Sequence, residues 1–127
     1  MSLIGLGAAS DCKPGRYRYP IKRSQYEKLQ KYVNEGHQPW RTDAPAVAGS
    51  ELLNRKGERG NAYGLPLAPV REDEREAIYN YVDQSEPNVS YRIRLRRFKW
   101  LLPLSRTWRQ TVWAPVEVTI QCQAPKD

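Results

Sequence analysis

Between Tyr91 and Gln110 the chain carries Arg92, Arg94, Arg96, Arg97, Lys99, Arg106 and Arg109, with no acid among them. Arg92, Arg94 and Arg96 alternate with Tyr91, Ile93 and Leu95. Successive side chains of a strand point to opposite faces, so this spacing predicts one buried face and one bearing a row of guanidinium groups. A guanidinium is a planar fork that meets carboxylate or phosphate through two parallel hydrogen bonds. Arg97 extends the basic run, and Tyr91, Trp100 and Trp108 offer rings on which bases or sugars could stack. The same pattern has a plainer reading, in which arginine stems cover apolar surface and their heads pair with the protein's own acids. Glu72, Asp73, Glu74 and Glu76 are the nearest supply.

Other residues offer less chemistry. His37, the one histidine, lies beside Trp40 and Arg41 with Asp43 close behind. A general base needs an orienting partner and a proton to take, and no Ser or Cys in a recognisable nucleophile context accompanies His37. A loop histidine making local hydrogen bonds is the expectation, with His37, Trp40 and Arg41 kept as binding candidates and no catalytic residue assigned. The acids 72–76 would bind a metal only if they converged, and neighbours on a helix point in different directions. Two cysteines and one histidine cannot build a four-ligand zinc site, so no metal or cofactor is expected. The glycines from Gly57 to Gly64 follow a predicted helix rather than a strand and lack a closing Lys-Ser/Thr pair, which disfavours a phosphate-cradling loop. Asn88-Val89-Ser90 fits a glycosylation sequon, a pattern short enough to arise by chance.

Cys12 and Cys122 stand near the two ends of the chain. A bridge between them would close a very long loop and contribute about 2 to 4 kcal/mol in an oxidising compartment; two unrelated thiols are the alternative. Residues 3–10, Leu-Ile-Gly-Leu-Gly-Ala-Ala-Ser, are small and apolar. They read either as the remnant of an export signal or as an apolar N-terminal strand.

The chain of 127 residues has the length of one domain, with 39% hydrophobic residues, 4 Trp and 8 Tyr to fill its core. Its formal charge of +7 favours contact with something anionic. Residues 1–63 hold 11 basic and 6 acidic groups and residues 64–127 hold 10 and 8, so the charge is not a basic tail. The longest apolar run falls far short of the roughly 18 to 20 residues of a membrane-spanning helix.

The elements that must position these residues follow from local signals. Residues 1–23 are expected to be extended or partly ordered, with a loop or short edge strand and a second basic cluster (Lys13, Arg16, Arg18, Lys22 and Arg23) over 11–23. Ser24 with Glu27 forms a capping-box pattern, predicting a helix over 25–35 with a stripe of Tyr26, Leu29, Tyr32 and Val33 and a Glu27–Lys31 pair. A second helix is predicted over 43–56, capped by Thr42 or Asp43, with Pro45 in its first turn, Ala46, Val47, Leu52 and Leu53 buried, and Gly57 as its stop. A long exposed loop is expected over 54–69. A third helix is predicted over 71–82, with acids at its N-terminus and Ala77, Ile78, Tyr81 and Val82 as its stripe. Two strands, 89–101 and 108–122, complete a C-terminal hairpin, the second with Val112, Ala114, Val116, Val118, Ile120 and Cys122 on one face. Pro115 puts that strand at an edge or bulges it. The fold class is α+β: three short helices packed on a small antiparallel sheet, in a single domain.

Gly36-His37-Gln38-Pro39-Trp40-Arg41, followed by Asp43-Ala44-Pro45-Ala46-Val47-Ala48, resembles a segment of small exported bacterial proteins of uncharacterised function. There it follows an N-terminal helix and precedes a β-rich C-terminal half. The resemblance implies an exported bacterial α+β protein and assigns no active-site residue. Together these readings lead to an extracytoplasmic, periplasmic or secreted domain that binds a protein or an anionic polymer through its basic sheet face. An intracellular nucleic-acid-binding module is the alternative, and an enzyme built around His37 ranks third.

Overall fold

The computed structural model of the chain describes residues 12–57 and 64–123; the apolar stretch 3–10 lies outside them. Five strands form one antiparallel sheet: β1 (Gly15–Arg18), β2 (Ala68–Glu72), β3 (Glu76–Val82), β4 (Val89–Arg96) and β5 (Ala114–Cys122), in the order β1-β5-β4-β3-β2. Two longer helices, α1 (Arg23–Asn34) and α2 (Ala44–Lys56), precede β2, and a single-turn α3 (Leu102–Ser105) lies between β4 and β5. The α+β class is therefore as expected.

The sheet has one covered face. Helix α2 lies on β3, β4 and β5 and inserts Ala44, Val47, Ala48 and Leu52 against Ala77, Tyr79, Tyr81, Ile93, Leu95, Trp113 and Val118. The alanines let the helix approach the sheet closely, and the Tyr and Trp rings fill the space beside it. Pro45 occupies the first turn of α2 and Gly57 ends it with a left-handed φ of 69°, as expected from a position where other residues are strained.

The segment 71–82 is not a helix. It forms the end of β2, a turn, and β3. Ala77, Ile78, Tyr81 and Val82 mimic a helical stripe, but Ala77, Tyr79 and Tyr81 are the buried residues, and their spacing has the period of two of a strand. The acids do not cap a helix dipole; Asp73 closes the β2–β3 turn by accepting the backbone N–H groups of Arg75 and Glu76 at 2.9 and 2.8 Å. These bonds and the side chain of Arg71 hold the Asp73 carboxyl down at about 2.

Smaller departures follow from tertiary contacts. Helix α1 starts at Arg23 after an uncapped Lys22, so the Ser24 capping box does not form. Its fully buried residue is Gln30, while Tyr32 is exposed, and the i,i+4 ion pair is Arg23–Glu27 at 3.3 Å rather than Glu27–Lys31. The strand pair β4–β5 is antiparallel as expected but is joined by helical turns over 99–110. Pro115 does coincide with a bulge opposite Arg94 and Leu95, in an interior strand rather than at an edge. The register shift turns Val116 toward the hollow beside Arg94 and Arg96, and Trp113 enters the core. No described helix is long and apolar enough to cross a membrane.

Candidate functional site: the open face of the sheet

The uncovered face is assembled by register. Residues paired across neighbouring strands share a face, so one rung reads Arg16, Thr119, Arg92, Asn80 across β1, β5, β4 and β3, and the next reads Arg18, Glu117, Arg94, Ile78, Arg71 and reaches β2. Arg96, which stands opposite Glu76 in the strand register without an ion pair to it, begins a third. Cations thus stand about 7 Å apart along a strand and, where one strand intervenes, about 10 Å apart across the sheet.

Three acids organise them, the first being Asp73, whose Oδ2 accepts from Arg71 Nε at 2.7 Å. Glu76 is shared by Arg94, whose Nε donates to Oε2 at 2.9 Å, and by Arg71, whose Nη1 lies 2.8 Å from Oε1. Glu117 lies 3.4 Å from Arg18 and 3.8 Å from Arg16. Arg92 donates to the side-chain oxygen of Asn80, at 2.9 Å, and Arg96 stands over the ring of Phe98 at 5.8 Å. Among the described residues neither Arg92 nor Arg96 has an acid partner. Two adjoining hollows of about 270 Å³ each open on this face. One lies between Arg16, Arg92 and Arg94 beside Thr119 and Gln121; the other lies between Arg18, Arg94 and Arg96 beside Phe98.

The remaining candidates lie elsewhere. Arg97 leaves the row at the end of β4. It stacks on Trp113 at 4.2 Å and donates to the backbone carbonyls of Glu74 and Thr42 at 3.2 and 3.1 Å; burial pushes its guanidinium below its ordinary value. Tyr91 belongs to the opposite face, packed against the core and Tyr81. Trp100 stacks on Phe98 at 5.0 Å and is covered by Arg23, while Trp108 is covered by Arg75. The rings expected to stack on a ligand are thus engaged within the protein.

His37 is exposed and stacks on Tyr32 at 4.1 Å, and no described hydrogen bond or ion pair joins it to Asp43. Trp40 packs against the core with Arg41 over its ring, and Arg41 donates to Gln38 and accepts the backbone N–H of Trp113. This loop braces α2 against the start of β5 and does not adjoin the arginine face. A larger hollow of about 460 Å³ beside β2 is lined by Pro66, Ala68, Val82, Pro87 and Asp83, whose carboxylate is already held by Lys56.

Cys12 and Cys122 form a disulfide, with Cα atoms 5.9 Å apart. It fastens β1 to β5 and so brings Arg16 and Arg18 onto the face. Those two arginines, Arg71 and the intervening Glu117 were missing from the sequence-based site. The cysteine pair was the signal that could have found the first two, because a bridge from 12 to 122 lays residues 15–18 antiparallel to 117–120. Comparison with protein-family models, curated proteins and solved structures finds no match to any of them.

Proposed function

We propose that this chain is an extracytoplasmic binding domain that takes an anionic partner on the open face of its sheet. The observation that carries the reading is the imbalance of that face: Arg16, Arg18, Arg71, Arg92, Arg94 and Arg96 against Asp73, Glu76 and Glu117, with Arg92 and Arg96 making no ion pair among the described residues. A sheet face whose six arginines meet three acids keeps a net positive charge, attracts anions and orients them through paired N–H donors. The extracytoplasmic assignment draws on the Cys12–Cys122 bridge, since disulfides persist in oxidising compartments, and agrees with the exported proteins that residues 36–48 resemble.

The test is a titration at low ionic strength with four polyanions: single-stranded DNA, polyglutamate, anionic phospholipid vesicles and a carboxylated glycan. At least one should bind, with affinity that falls as salt rises and that drops in the Arg92→Gln/Arg96→Gln variant. Failure of all four, or binding indifferent to that double substitution, would overturn the reading. An intracellular nucleic-acid module would instead show DNA as the preferred ligand, with a log-log salt slope of roughly one unit per phosphate contacted.

A further inference from the structure

We infer that the open face recognises a polysaccharide in which carboxylated sugars are separated by neutral ones, its carboxylates held by Arg92 and Arg96. The inference rests on the anion-binding reading above and deepens it to one class of ligand.

Three observations select this chemistry. The first is the kind of cation. All six basic side chains on the face are arginines, whose rigid forks match carboxylate geometry where a lysine would offer a point charge. The face already shows such recognition internally, since Glu76 is held from both sides by Arg71 and Arg94.

The second is the rhythm of available charge. Arg94, between Arg92 and Arg96, is occupied by Glu76, and Glu117 stands beside it on β5. The two arginines that make no ion pair among the described residues are therefore about 14 Å apart along β4, four residues at strand rise, with negative charge between them. A polymer charged at every unit, such as a phosphodiester strand, would set anions against Glu76 and Glu117. One with neutral units between its charges would not.

The third is what lies between the cations. Thr119 and Gln121 border the hollow beside Arg92, and Asn80 adjoins Arg92 itself. These groups donate and accept hydrogen bonds as sugar hydroxyls require. Tyr91 is on the far face, Trp100 is capped by Arg23, and Phe98, which borders the hollow at Arg96, is already stacked on Trp100 with Arg96 over its ring. A hollow of about 270 Å³ flanks each of the two arginines with room for a ring, and Glu117, which borders both, confines a carboxylate to the Arg92 and Arg96 ends.

The experiment compares affinities of the full chain, disulfide intact, for oligosaccharides of alternating glucuronate and N-acetylglucosamine with those for single-stranded DNA and polyglutamate of equal charge. Calorimetry should rank the glycan tightest. Arg92→Gln/Arg96→Gln should weaken it at least tenfold, whereas Lys28→Gln/Arg109→Gln, an equal loss of charge away from the face, should change it less than twofold. Circular dichroism should give the same spectrum for both variants. Tighter binding of DNA or polyglutamate overturns the glycan assignment while leaving anion binding in place. Equal losses in the two double variants overturn the assignment to this face, and no binding by any probe overturns both readings.

Discussion

The side-chain carbonyl of Gln30 accepts the backbone N–H of Val112 at 2.9 Å, joining residues 82 positions apart. The amide of the same side chain donates to the carbonyl of Gln110 at 2.8 Å and to Asn34 at 3.0 Å. Gln30 is fully buried, so helix α1 is tied by one residue to the turns that deliver the chain into β5. Gln30→Met keeps the volume and strands the buried N–H of Val112 and the half-buried C=O of Gln110. At about 1 to 2 kcal/mol for each orphaned group, the variant should lose about 2 to 4 kcal/mol in urea denaturation. A loss under about 0.5 kcal/mol, the size of an ordinary surface substitution, would show that the clamp carries no weight.

Lys56 and Asp83 form a buried ion pair at 3.3 Å, with side chains 8% and 7% exposed. Burial pushes the Asp83 carboxyl upward, but hydrogen bonds from Ser85 and the Lys56 ammonium outweigh it, and the net shift is downward. Removing one partner of a buried pair is costly, so Lys56→Met should lose about 3 to 5 kcal/mol. The pH dependence has a definite sign. A carboxyl depressed in the folded state stabilises above its unfolded value of about 4 and loses that contribution as pH falls through the folded value. The stability gap between the protein and Asp83→Asn, followed by denaturation from pH 7 to pH 2, should be constant at the high end and shrink below about pH 4. A gap that widens on acidification would refute the assignment.

The disulfide spans 110 positions, and both of the chain's cysteines belong to it. Thiol titration of the native, unreduced protein should find none free. Cys12→Ser/Cys122→Ser should lower stability by about 2 to 4 kcal/mol and speed amide exchange in Gly15–Arg18 more than in β4. Equal protection of β1 with and without the bridge would show that strand pairing alone holds that edge.

Local pattern carried the reading a long way where one residue period had no rival. In β4, Ile93 and Leu95 are fully buried and Arg92 and Arg96 are exposed, as their alternation required. Helix α2 was legible from Pro45, its apolar side and Gly57. In 71–82 two periods fitted the same residues. Tyr79 had to be counted to favour the strand, and the acids before it satisfied both a helix start and a tight turn.

The sequence by itself determined that a strand beginning at 89 has one apolar and one basic face, that helices lie near 25–35 and 43–56, and that two cysteines are available to bridge the chain near its ends. Those properties depend on spacings of two to four residues, which any segment carries wherever it lies. Tertiary structure alone decided which strands flank β4, and with that which acids meet its arginines. Glu76 reaches Arg94 from 18 positions away and Glu117 meets Arg18 from 99 away, and the order β1-β5-β4-β3-β2 creates both encounters. Strand order is selected by burying the shared face of β3, β4 and β5 under α2, with β1 and β2 added at the two edges by strand pairing. The same arrangement removes Arg97 from the row and leaves Arg92 and Arg96 without an ion pair among the described residues.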